Sequence, residues 1–303
     1  MSAAAERVAL RAPRSLWSDA WRQFRAHRLA MAGVFVFSFL TLATIFGEYV
    51  YPVKIGQIDF ANPFAGPSLA HPFGTDELGR DLLARTIRGG RISIAVGVAA
   101  MLVAMTVGTL VGAISGYFGK ADGPLMRLTD LFIALPTLPL LLIIIYLFRD
   151  ALRAFFGNPI AGIFILTVLV IGMLTWMPVA RLVRAAFLSI KQREFVVAAR
   201  CVGGGDARLI FKHILPNALS PVLVAATLAV GAAIITESAL SFLGLGFPPD
   251  EPTWGRLLFE AQTFLDLAPH LAIFPGLLIF LAVLSINYVG DGLRDALDPR
   301  RTE

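Results

Sequence analysis

Six long apolar runs, at 29–50, 92–117, 131–148, 160–180, 218–243 and 271–288, divide the chain, with polar segments between them. A helix needs about 20 mostly apolar residues to cross a bilayer. The pattern therefore predicts an all-α membrane protein with six transmembrane helices. Between the fourth and fifth runs lies a charged, amphipathic island at 188–216. There Phe195, Val196 and Ala199 share one side of a predicted helix from about Arg193 to Val202, while Arg193, Glu194 and Arg200 face water or a partner. Gly203-Gly204-Gly205 is its expected stop, because glycine tolerates the left-handed conformation that ends helices. Asp206 is then the expected cap of a second short helix over 207–214, and Pro216 suits the opening of the fifth span. Two short helices joined by a glycine hinge make a knob parallel to the membrane.

The polar segments carry further periodicity. In the tail at 1–28, Leu16, Ala20 and Phe24 fall on one helical face, with Trp17 and Trp21 beside it and Arg14, Arg22, Arg25 and Arg28 around it. That is the pattern of a helix lying on membrane lipids. In the external loop at 51–91, Thr75 reads as an N-cap, with Asp76 and Glu77 in the first turn of an amphipathic helix. Asp76–Arg80 and Asp81–Arg85 read as i,i+4 pairs, and Gly89-Gly90 as the stop. Pro136 and Pro139 predict a kink near the cytoplasmic end of the third span, residues 149–158 an external turn, and 254–264 an apolar stretch within the second external loop, 244–270. Gly108 and Gly112 are spaced for close packing within the bundle. The organisation is thus a tail at 1–28, a first helix at 29–50, the loop at 51–91, a five-helix core at 92–293 and a C-terminal tail at 294–303.

Charge orients the bundle. Of 26 Lys and Arg, 18 lie in segments that are cytoplasmic if both termini are inside: six in 1–28, two in 118–130, seven in 181–217 and three after Tyr288. This positive-inside asymmetry sets an N-in, C-in topology and accounts for the net charge of +5 without nucleic acid. With 57% hydrophobic and 16% charged residues and a mean hydropathy of +0.74, the chain is far from the roughly 25% charged residues of soluble domains. The Arg-rich lead and long first apolar run mark that span as a retained anchor rather than a cleaved signal. Cys201, the single cysteine, excludes an intramolecular disulfide and is expected to be a small buried residue.

Candidate chemistry is sparse. The sequence has no phosphate-binding G-x-x-x-x-G-K-[ST] run, no H-E-x-x-H, no metal-spaced Cys/His set and no G-x-S-x-G. No catalysis, metal or cofactor is expected on this chain. Glu237, late in the fifth span, admits two readings: a carboxylate on a transport pathway, or a structural hydrogen bond. A stand-alone secondary carrier or channel is the rival to a subunit driven from outside; the sparse midplane charge and the missing phosphate loop both favour the subunit.

The segment Ala198-Ala-Arg-Cys-Val-Gly203 through Leu215-Pro216 resembles the cytoplasmic signature loop of bacterial ABC importer permeases. The family pattern begins Glu-Ala-Ala and here reads Val197-Ala198-Ala199, with Glu194 one turn earlier. Three more runs resemble the oligopeptide, dipeptide and nickel branch: Phe73-Gly-Thr-Asp-Glu-Leu-Gly-Arg-Asp81, Glu237-Ser-Ala-Leu-Ser-Phe-Leu-Gly-Leu-Gly246, and Gly290-Asp-Gly-Leu-Arg-Asp-Ala-Leu-Asp-Pro299. The resemblance covers nearly the whole chain and is nearest to the second permease of an oligopeptide system. It implies a type I ABC importer permease fold in a bacterial cytoplasmic (inner) membrane. It also implies a heterodimer with a second permease, two ATPase subunits carrying ATP and Mg, and an extracytoplasmic solute-binding protein. Glu194, Phe195, Val197, Ala198, Ala199, Arg200, Gly203, Leu215 and Pro216 are then the expected ATPase-docking residues. Gly74, Thr75, Asp76, Gly79, Arg80 and Asp81 form the external family motif. The expected role is half of the translocation pathway of an ATP-driven importer of peptides, with peptide length, nickel and glutathione left open.

Overall fold

The computed structural model describes residues 16–297, with side chains from residue 20 onward. Arg14, the side chains of Leu16 and Trp17, and the tail beyond residue 297 lie outside the described set. The fold is a helical bundle. Helix α1 is Leu16–Ala26 and α2 Arg28–Val50. Then come α3 Leu82–Tyr117, α4 Gly119–Ala134, α5 Thr137–Phe156, α6 Pro159–Met173 and α7 Met177–Ile190. The cytoplasmic α8 is Glu194–Cys201 and α9 Asp206–Arg208; a π-helical segment Leu209–Ile214 leads into α10 Leu215–Phe242. Helix α11, Trp254–Ala261, lies on the outer side, and α12 is His270–Leu297.

Four helices are long and apolar enough to cross a membrane alone: α2, α3, the run Asp206–Phe242 and α12. Taken as one broken span each, the pairs α4/α5, bent by 87°, and α6/α7, bent by 45°, bring the count to six. The sharper bend sits where the prolines were expected to place it. Leu135 is extended (φ −77°, ψ 138°) because the Pro136 ring excludes the α region from the residue before it. The expected turn over 149–158 is much shorter. Helix α5 runs through to Phe156, Gly157 adopts φ +62°, and the Asn158 side chain caps α6.

The second span also begins earlier than its apolar run. No separate amphipathic helix forms over 75–88, and Gly89-Gly90 does not stop α3; both glycines lie inside it. Their role is close approach. A Cβ at Gly89 would sit 3.1 Å from the Thr253 carbonyl carbon, and one at Gly90 2.5 Å from the Trp254 ring. The indole between them is fully buried and donates to the Thr86 carbonyl at 3.0 Å.

Helix α3 is the mast of the bundle, packed on α2, α6, α7 and α10. Its small-residue stripe meets α7, as the Gly108/Gly112 spacing predicts. A Cβ at Gly112 would lie 2.5 Å from the Ala180 carbonyl oxygen, and one at Gly116 2.6 Å from Phe187 Cβ. Gly112→Leu is expected to force α3 from α7 at an overpacking cost of about 3 kcal/mol, read as a lowered melting temperature of the purified complex. In α1, Phe24 is buried against Ala30 and Ala296, pinning the helix to the cytoplasmic ends of α2 and α12.

Candidate coupling surface and its transmembrane connections

Helix α8 divides its residues sharply between two faces. Val196 is 0% exposed and packs in a cluster with Tyr117 of α3, Phe187 of α7, and Leu209, Ile214 and Val222 of the following run. Its neighbours Phe195 and Val197 are exposed, as are Glu194, Ala198 and Arg200; Ala199 is half-buried. After α8 the chain turns on Gly203, at φ +86°, a conformation only glycine adopts without strain. Gly204 then donates to the Ala199 carbonyl at 3.0 Å.

The second half of the knob differs from the sequence expectation. Gly205, not Asp206, is the N-cap. The Asp206 carboxylate is used elsewhere, accepting from the Tyr117 hydroxyl at 2.5 Å. No second free-standing helix exists either, since 206–242 is one helical run whose π segment supplies one extra residue per turn. That extra residue brings Leu209 and Ile214, five apart, onto the same buried face as Ala218 and Val222. Leu215 is half-buried and Pro216 exposed at the changeover from π to α. Phe211, on the opposite side, is 68% exposed, and Val202, just past α8, is 87% exposed. Cys201 is exposed, not buried as expected, because it lies on the outward side of α8.

The knob is bonded to the spans as well as packed. Lys191 Nζ donates to the Tyr117 carbonyl at 2.7 Å and lies over the Tyr117 ring. Arg184 donates to both oxygens of Asp122 at 2.5 and 2.6 Å, and Ser115 donates to the same carboxylate. Displacement of α8 therefore reaches α3, α4, α7 and α10 together. Tyr117, Asp122, Arg184 and Lys191 escape sequence reasoning because their partners are 62 to 89 positions away or on the backbone; the lone hint is an acid directly after the glycine run.

Glu237 is fully buried. It accepts from Ser93 of α3 at 2.8 Å and from Ser241 at 2.7 Å, and the Trp254 backbone donates to the same Ser93 hydroxyl at 3.3 Å. The carboxylate thus ties α3, α10 and α11 as a structural hydrogen-bond centre and reaches no open surface. Glu237→Ala should leave two buried hydroxyls without their acceptor, at about 1–3 kcal/mol each. A melting temperature within 1 °C of wild type would contradict that bracing role.

The external motif is a knot of turns ahead of α3. Asp81, not Thr75, caps the helix, accepting from the Ala84 amide at 2.8 Å. Asp81 also accepts from the Tyr51 hydroxyl at 2.8 Å and lies 2.8 Å from His71 Nδ1. Burial, and then the bond to Asp81, push the Tyr51 phenol up to about 12. Thr75 instead accepts from the Ala65 amide and donates to the Asn62 carbonyl. Gly74 and Gly79 have φ of +81° and +70°, and a Cβ on Gly79 would strike the Asp59 carbonyl oxygen. Asp76 takes four bonds: the amides of Leu78 and Arg80 on Oδ1, and Arg80 Nε and Arg85 Nη1 on Oδ2. The expected Asp81–Arg85 pair does not form; Arg85 bridges Asp76 and Glu260 of α11 at 2.6 and 2.9 Å. The same two external segments are joined by Arg88–Glu251 at 3.2 Å, and the Phe73–Phe274 stack at 4.0 Å fixes the first of them to α12. They form one platform.

Six crossings, an outer platform and a cytoplasmic knob with an uncovered apolar face define a membrane transport subunit built to be worked by other proteins. Residues 108–303 match the family described as binding-protein-dependent transport system inner membrane component, and residues 15–67 the N-terminal TM domain of oligopeptide transport permease C. The chain belongs to this family of ABC importer permeases of the bacterial inner membrane. It is 38% identical to the dipeptide transport system permease protein DppC of Alkalihalophilus pseudofirmus, over 94% of this chain and 90% of that protein. It is 40% identical to the glutathione transport system permease protein GsiD of Pectobacterium atrosepticum, over 95% and 92% respectively. The fold is shared with a chain of the MetNI methionine ABC transporter in inward-facing conformations, with a TM-score of 0.55 and 18% identity over 70% of this chain and 95% of that one. Membership sets aside the stand-alone carrier or channel.

Proposed function

We propose that this chain forms half of the translocation pathway of an importer of small peptides, paired with a second permease. Two ATPase subunits, which bind ATP and Mg, grip α8 and the π segment, and this chain itself holds no cofactor. The observation that carries the reading is the division of the knob: Val196 is sealed into the transmembrane core, while Phe195, Val197, Val202 and Phe211 stand uncovered. Exposed apolar clusters of this kind mark protein contacts. The ATPase-docking set is Glu194, Phe195, Val197, Ala198, Ala199, Arg200, Gly203, Leu215 and Pro216, with Val202 and Phe211 added.

ATP binds the closed ATPase pair more tightly than the open pair, and that difference shifts the bundle toward its outward-open state. The outer platform receives the loaded binding protein. Peptide cargo is supported by two relatives named for a dipeptide and for glutathione, itself a tripeptide. The test is to purify the tagged chain from native membranes in mild detergent. Co-purification of a second permease and two ATPases, with dipeptide uptake by the reconstituted set, is expected. Isolation of the chain alone, while another ABC complex survives the same detergent, would refute it.

A further inference from the structure

The C-terminal run from Gly290 divides into packed and unpacked residues. Gly290 meets α10, where a Cβ would lie 2.5 Å from Thr227 Oγ1; Gly292 meets α1 and α2, where a Cβ would lie 2.2 Å from Ala30 Cβ. Asp295 faces His27 at 3.8 Å, and Ala296 is buried beside Phe24. These four are used up by packing at the foot of the bundle. Asp291 and Arg294 are not. Both are exposed, and among the described residues neither makes an ion pair or hydrogen bond, even with each other.

Both line a cleft of about 470 Å³ at the cytoplasmic end of α10, together with Leu182, Ser220, Pro221 and Leu228. Leu182, Ala225 and Leu228 also line a second cleft of about 620 Å³, which climbs between α5, α7 and α10 to Thr137, Thr175 and Ala232. The two share a wall and run as one trough, apolar along its length and charged at its cytoplasmic mouth. Pro221 lies inside α10 and has no amide hydrogen, so the Asn217 carbonyl loses its helical partner close to Ser220. The mouth thus offers a carboxylate and a guanidinium over an apolar wall.

We infer that Asp291 and Arg294 form an exit site for zwitterionic peptides, Asp291 taking the α-ammonium and Arg294 the α-carboxylate as cargo leaves the pathway. The inference rests on the peptide reading above and adds the residues that read the cargo. Opposite charges fit it. Residues three apart on a helix are about 5–6 Å apart at Cβ, comparable to the span between the two termini of a short peptide. The guanidinium fork matches a carboxylate in two parallel hydrogen bonds. An open, water-reached mouth keeps such binding weak, as release requires.

The test uses the complex of both permeases and both ATPases, without nucleotide or binding protein, so that only the permeases read the cargo. A benzophenone-bearing dipeptide with free termini is photo-captured in competition with Ala-Phe, N-acetyl-Ala-Phe or Ala-Phe-amide. In the wild type, blocking either terminus should weaken competition about tenfold. Arg294→Gln should make acid and amide compete equally, Asp291→Asn should do the same for free and acetylated peptides, and Arg294→Lys should keep the acid preference. Unchanged preferences in both variants would overturn the assignment. So would loss of the second permease from the variant complexes, which would place the pair at the contact between permeases. Wild-type vesicles with binding protein that carry no dipeptide would refute the peptide reading itself; uptake without terminus preference at this site would refute only the exit site.

Discussion

Asp76→Ala is expected to destabilise the permease by about 3–5 kcal/mol, the cost of breaking a buried ion pair from one side. Arg85, 2% exposed, contacts Asp76 at 2.6 Å and Glu260 at 2.9 Å, while Arg80 shares the same Asp76 oxygen. Arg256 also donates to Glu260 at 3.2 Å, so three guanidiniums share two carboxylates in this cluster. Removing Asp76 leaves an excess buried cation and frees the Leu78 and Arg80 amides that hold the turn. Asp76→Asn can keep Oδ1 on those amides but turns an NH2 donor toward two guanidiniums, so it should recover little. Asp76→Ala combined with Arg85→Met should recover more, because replacing a whole buried pair with apolar groups is often close to neutral. Thermal melts of the purified complex across this double-mutant cycle measure the coupling. A loss below about 1 kcal/mol for Asp76→Ala would show that the cluster behaves as a surface pair. Glu260 belongs to α11, so the same mutation should also loosen the outer platform and weaken docking of the binding protein.

How much of this was legible in the chain differs by element. The spans were readable because bilayer length and apolar composition are local properties: α2 begins one residue before its predicted start. The start of α3 was not. Thr75, Asp76 and Glu77 have the composition of a capped first turn, and two acid–base pairs with helical spacing follow. Yet Gly79 at φ +70° breaks the chain there, and the real cap is Asp81. Asp76–Arg80 forms across a turn, and Arg85 goes to Glu260, 175 positions away, which no local rule contains. Gly89-Gly90 looks like a stop until Trp254 packs on it. Asp206 has the position of a cap, but the Tyr117 hydroxyl claims it. The proposed docking surface was drawn from a pattern of alanines, glycines and a Leu-Pro pair. Which residues face out was not fully legible: the π turn re-phases 209–218, and only the fold shows Phe211 uncovered and Val196 sealed.

Val196 and Val197 should therefore fail in opposite ways when each is replaced by aspartate. Val197→Asp puts a charge on the exposed side of α8, where it costs the isolated permease little. It should assemble with the second permease at normal levels but lose its ATPases, by tenfold or more in co-purification, since a desolvated charge in an apolar contact costs several kcal/mol. Val196→Asp puts the charge at 0% exposure among Tyr117, Phe187, Leu209 and Ile214. There α8 must leave the core, uncovering Leu209 and Ile214, and the melting temperature should fall before any partner is added. Val196→Ala should show the same direction at about 1–3 kcal/mol, the value of a buried valine side chain with its residual cavity. Gly203→Val separates seating from hinge geometry: nothing lies within 4 Å of its Cβ position, so its penalty is the left-handed backbone alone, about 1–2 kcal/mol. That strain re-aims α8 without burying a charge, so ATP hydrolysis should continue while uptake falls. Melting temperature, ATPase recovery and the ratio of uptake to hydrolysis form three readouts, each moved first by a different one of these variants. If Val197→Asp retained its ATPases at wild-type yield, α8 could not be the surface they grip, and the force would have to enter the bundle elsewhere.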